Sequence, residues 1–76
     1  MLDRITAQAI AEAQKNGDSF TLTNAAEIIV AKADMARGHG ADVDVMSLAA
    51  AVVEILKLPA GQSIGVVKEA LRLSGA

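Results

Sequence analysis

The sequence predicts an all-α fold, four helices in one compact domain, and three observations predict it. Apolar residues recur at three- and four-residue spacing in separate stretches of the chain. Alanine clusters at 7–13, 25–26 and 49–51, and it has the highest intrinsic helix propensity and no side-chain entropy to lose on burial. Gly17, Gly38 with Gly40, and Pro59 stand between consecutive stretches as breakers. With 76 residues, 53% of them hydrophobic, and a formal net charge of -2, the chain reads as a single helical domain over 1–76 and not as a disordered segment.

The first helix is expected from about Asp3 to Asn16. Leu2, Ile5, Ala9 and Ala13, with Ile10 beside them, mark its inward face, while Arg4, Gln8, Glu12 and Lys15 mark the solvated one. Gly17 suits a left-handed cap at its end. Ser19 to Thr23 then alternates with period two, which reads as a short extended segment pointing Phe20 and Leu22 inwards. The second helix is expected to begin at Thr23 or Asn24, because Asn24 with Glu27 three residues later has the form of a capping box. It continues through Ile28, Ile29, Ala33 and Ala36 to Arg37 and stops at Gly38-His39-Gly40.

Val43 and Val45 alternate with Asp42 and Asp44. Two alternating segments of this kind can pair as a very short two-stranded ribbon, 20–22 with 43–45. A plainer use of the second is that Asp42 or Asp44 caps the third helix. That helix, about Val45 to Leu58, is the most apolar stretch: Ser47, Glu54 and Lys57 form a narrow polar stripe on one side with Ala50 and Ala51, and Met46, Leu48, Val52, Val53, Ile55 and Leu56 cover the rest. A helix apolar nearly all round is buried on several sides, so it is expected at the centre of the domain or in a dimer contact. Pro59 ends it. Ser63 then caps a fourth helix from Ile64 to about Leu73, with Ile64, Val67, Ala70 and Leu71 inward and Lys68, Glu69 and Arg72 outward. Gly65 in its first turn costs ~1 kcal/mol relative to alanine and marks a close helix crossing.

Several function classes are excluded on chemical grounds. No cysteine is present, so there is no disulfide, no thiolate metal ligand and no thiol nucleophile. The one histidine, His39, lies between two glycines and reads as a solvated turn residue. Asp34, Asp42 and Asp44 are its only acidic neighbours, a weak ligand set for a metal. Neither glycine-rich phosphate-loop pattern occurs. No enzyme activity, cofactor, metal or small-molecule substrate is therefore expected. The longest apolar run, Val45 to Val53, falls well short of the ~20 residues needed to span a bilayer. Nothing after Met1 has the charged-then-apolar form of a leader. The expectation is a cytoplasmic protein, in a bacterial, phage or plasmid setting given its size and alanine content.

Phe20-Thr21-Leu22-Thr23 leading into Asn24-Ala25-Ala26-Glu27-Ile28-Ile29 resembles the opening of small excisionase-type and MerR-type helix-turn-helix domains. That resemblance implies a DNA-binding transcriptional regulator. A helix-turn-helix laid over Lys32 to Ala51 also gives fair apolar spacing, but its second helix would offer Asp42, Asp44, Ser47 and alanines to the groove. Base reading wants Arg, Lys, Asn or Gln, and phosphates want positive charge. Gly40-Ala41-Asp42 before a long helix is similar to an acyl carrier protein, yet Val43 stands where that family attaches its prosthetic arm to serine.

A non-catalytic module for protein interaction or dimerisation is the remaining reading, an accessory or regulatory protein acting by helix-face packing. A chain this small buries only about 60% of the surface it exposes when unfolded, and Phe20 is its sole aromatic, so a homodimer that completes the core is expected. Val45, Leu48, Val52 and Ile55 on the third helix are the candidate contact residues, with the i, i+4 pair Lys68 and Arg72 on the fourth. The partner is a second copy, another protein or both; DNA is the alternative.

Overall fold

A computed structural model describes residues 1–16 and 21–75. The fold is all-α: helices α1 (Leu2–Lys15), α2 (Leu22–Gly38), α3 (Val45–Leu56) and α4 (Ala60–Leu73). α2 and α3 each pack against all three other helices, whereas α1 and α4 do not touch each other. The two middle helices therefore carry the core. The radius of gyration of 11.3 Å matches the ~11 Å expected of 76 residues packed tightly.

The face that α1 buries differs in phase from the expected one. Thr6, Ala7 and Ile10 are buried and Leu2 packs against them, but Ile5 is 49% exposed. Leu2 and Ile10 face inward as expected, whereas Thr6 takes the place of Ile5 and enters the core without an unpaired hydroxyl. Its Oγ1 donates to the Leu2 carbonyl oxygen at 2.8 Å, satisfying the group within its own helix. The expected Gly17 cap and the inward Phe20 lie outside the described residues.

α2 starts earlier than its capping-box pattern suggests. Thr21 is extended and its hydroxyl accepts from the Asn24 amide at 3.0 Å, so threonine, not Asn24, is the N-cap. This places Leu22 inside the helix, in one row with the buried Ala25, Ala26, Ile29 and Ala33. The helix then runs through Gly38, and the residue that stops it is Gly40 at φ +88°. Two hydrogen bonds close the end, Ala41 N–H to the Ala36 carbonyl and Gly40 N–H to the Arg37 carbonyl, the paired pattern that needs a left-handed residue. Among the described residues no strand forms. Leu22 and Val45, the apolar residues proposed for the ribbon, open α2 and α3 instead.

Asp44 occupies the N-cap position of α3, but its carboxylate makes no bond to the helix amides. It accepts instead from the Ser47 hydroxyl at 2.8 Å, and that bond, first among its causes, lowers the Asp44 pKa below the usual carboxylate range. The preceding connection is tied down by Arg37, whose Nε and Nη2 both donate to the Val43 carbonyl. α3 ends at Leu56, two residues before the expected Leu58, because Lys57 adopts φ +55°. α4 begins at Ala60 with Pro59 as its N-cap, four residues before the expected start. Ser63 is therefore inside the helix, and its hydroxyl donates back to the Leu58 carbonyl.

The close crossing expected at Gly65 is present. A Cβ built there would lie 2.6 Å from Leu22 Cδ1, so the Leu22 side chain fills the space the glycine leaves where α4 lies on the first turn of α2. A polar tie reinforces the same junction: the Thr23 hydroxyl donates to Glu69 Oε2 at 3.1 Å.

Candidate contact groove

α3 is central in its contacts yet not enclosed. Val45, Leu48, Ala49, Val52 and Val53 are buried. The opposite arc, which carries Met46, Ser47, Ala50, Glu54 and Ile55, is exposed. Three neighbouring helices fill only one side of a cylinder, so the expectation that Met46 and Ile55 are shielded is corrected.

Part of that open arc borders α4. The short connection 57–59 turns the chain back, and α3 and α4 then run side by side with a groove of about 420 Å³ between them. Met46, Ala50 and Val53 line one wall; Ser63, Ile64, Val67, Lys68 and Leu71 line the other. On each helix these residues recur every three or four positions, which puts them on one face. Val53 closes the floor, Val67 and Leu71 are half-buried, and Met46 and Ile64 are 55% and 56% exposed. Of the row expected to face inward on α4, Ala70 is fully buried and Val67 packs against the core, whereas Ile64 turns outward; the fully buried Val66 takes its place.

The residues expected to form a contact surface do not lie together. Val45, Leu48 and Val52 are spent inside the chain's own core, with Val52 fully buried. Ile55 is exposed, but half a helical turn away from the groove wall. Lys68 sits on the groove rim. Arg72 points along α4 and holds Glu69, its Nε and Nη2 donating to Oε1 at 2.6 Å and Oε2 at 3.0 Å. That guanidinium, followed by the Thr23 hydroxyl, draws the Glu69 pKa down, and Glu69 in return raises that of Arg72. Met46, Ile64 and Leu71 were the residues sequence reasoning missed as a surface; Ala50, placed on the polar side of α3, is exposed as expected. The signal of the three was present as helical rows flanking Pro59, but they were assigned to the interior.

No family model, curated protein or solved structure matches this chain. What the site can do must come from its own chemistry. Among the described residues no three His, Asp or Glu side chains gather to hold a metal ion, and no helix is long and apolar enough to cross a membrane. His39 lies exposed in the turn after α2. The groove offers aliphatic surface, one hydroxyl already bonded to backbone, and one ammonium. The surface of that lining is almost wholly apolar.

Proposed function

We propose that this chain is a non-catalytic contact module, an accessory or regulatory protein that docks a helical surface along the α3–α4 groove. One observation carries the reading: Met46 and Ile64 stay more than half exposed beside an apolar trough, although the core is complete without them. Water-exposed aliphatic side chains gathered in one place are a recurrent mark of contact surfaces, and helices commonly recognise one another by laying an apolar face into such a groove. The absence of cysteine from the sequence suits action in the cytoplasm, and that location is part of the proposal.

Nucleic acid fits the exposed chemistry less well. The open arc of α3 carries Ser47, Ala50, Glu54 and Ile55, and Asp42 and Asp44 precede it. None of these neutralises a phosphate.

A photoreactive residue at Met46, set against one at Glu27 on the exposed side of α2, tests the proposal in the cells that make the protein. The Met46 probe is expected to give a discrete crosslinked product, lost when Ile64→Asp is added, and the Glu27 probe to give none. Equal products from both positions, or none from Met46, would refute the assignment.

A further inference from the structure

We infer that the occupant of the groove is the same groove of a second copy, the two meeting about a two-fold axis that runs along the helices, so that α3 of one protomer lies on α4 of the other. This rests on the contact-module reading and names its partner. Charge and area both support it.

Glu54 lies one turn beyond Ala50 on α3, and Lys68 one turn beyond Ile64 on α4. At ~100° per residue each is displaced by ~40° from its groove-lining neighbour, so each flanks the groove on its outer side. Both are exposed, and neither takes part in an ion pair among the described residues. The trough is thus flanked along its length by the Glu54 carboxylate on one wall and the Lys68 ammonium on the other, while Lys57, also exposed, lies beyond the end of α3. A two-fold axis along the helices sets the α3 flank of each protomer against the α4 flank of its partner. Opposite charges then meet, and they meet twice. An axis across the helices sets α3 on α3 and α4 on α4, which opposes like charges and gains nothing. The sign pattern selects the first arrangement.

The reach also works. The reversal at 57–59 leaves Glu54 and the partner's Lys68 about five residues apart in level, ~7–8 Å along the helix direction. Side chains on a helix lean towards its own N-terminus. Because α3 and α4 run in opposite directions, Glu54 and Lys68 lean towards each other's level. Two long, flexible side chains close the remaining gap.

Area sets the strength. α3 has 12 residues and α4 has 14, giving a face ~20 Å long, and two adjacent helices make it ~20 Å wide. A face of that size sits at the lower end for specific association, ~600 Å² of accessible surface per partner. A second copy matches it in length on both walls. The dimer is accordingly weak and reversible, with dissociation at micromolar concentrations.

Sedimentation equilibrium of the full chain, from about 5 to about 500 µM, is expected to show the mass rising from 7.8 kDa towards twice that value. Glu54→Lys or Lys68→Glu alone should weaken dimerisation roughly 3- to 30-fold, since each removes two exposed pairs. The double exchange, Glu54→Lys with Lys68→Glu, should return the dissociation constant to within about threefold of the original. Circular dichroism of each variant establishes that it is folded. A monomer at the highest concentration overturns the inference. So does a dimer that the double exchange fails to rescue, or one indifferent to Ile64→Asp. If the chain is monomeric but the Met46 probe still captures one discrete foreign protein in an Ile64-dependent way, the second copy is wrong and the contact module stands. If the chain is monomeric and the probe captures nothing, both are wrong.

Discussion

Placing an aspartate at Val52 and at Ile64 separates the interior of α3 from the contact face it shares with α4. Val52 is fully buried, in a helix that packs against the other three. A carboxylate there would be unpaired and out of water, a defect of about 3–5 kcal/mol. A domain of this length has on the order of 4–11 kcal/mol of total stability, so Val52→Asp is expected to leave a largely unfolded population. Val52→Ala supplies a measurable version. Removing two buried methyl groups costs about 2 kcal/mol including the cavity left behind. For a domain of this size that lowers the melting temperature by roughly 8–16 °C. Ile64→Asp, at a site 56% exposed, should change the melting temperature by only a few degrees while abolishing groove-dependent contact. Far-UV circular dichroism melts, run in dilute solution, measure all three. A folded Val52→Asp with an unaltered melt would refute the placement of that residue, and an unfolded Ile64→Asp would refute the surface assignment of the groove.

The two glycines at the end of α2, Gly38 inside its last turn and Gly40 beyond it, are predicted to behave oppositely. Gly40→Ala forces a side chain into φ +88° and should destabilise by about 1 kcal/mol, whereas Gly38→Ala meets open space at the helix end and should stabilise by about 0.5–1 kcal/mol; urea midpoints give both signs. Glu69 is held ionised by Arg72 and Thr23, so its folded pKa lies below its unfolded one. Its contribution is therefore complete above the ordinary glutamate range near pH ~4.3 and is lost as pH falls through the lowered value. Glu69→Gln should flatten that acid limb in a denaturation series, and a limb of unchanged slope would argue against the pairing. Duplex DNA should bind weakly even at low salt, without a steep logarithmic loss as salt rises; tight, strongly salt-dependent binding in a fluorescence-anisotropy titration would restore the regulator reading.

Much of the architecture was legible in the residues. The four helical stretches, the breakers after α2 and α3, the prominence of the third helix and the crossing at Gly65 follow from periodicity and propensity, because these are local properties. What was not legible depends on which of two nearly equivalent rows faces inward. On α1 the rows through Ile5 and through Thr6 differ by one position, and a threonine that bonds its own backbone outcompetes an isoleucine in a way hydropathy does not register. On α4 the Val66 and Ala70 row displaces Ile64 to the surface. Small residues won the interior because helices in close contact leave room for little else, so the larger side chains were left to form the groove. Helix ends were misplaced for a related reason. Thr21 and Pro59 cap earlier than Asn24 and Ser63 would, since the earlier start brings Leu22 and the first turn of α4 into packing range.

Of the thirteen buried hydrophobic residues among those described, six are alanine: Ala7, Ala25, Ala26, Ala33, Ala49 and Ala70. An interior built this way has an unusual asymmetry towards substitution. Truncation has little left to remove at those six positions, whereas adding even one or two carbons must push neighbouring backbones apart. The fold is thus bounded by a ceiling on side-chain volume, and it can acquire bulk only on its outside. That is where its methionines and Ile64 already are.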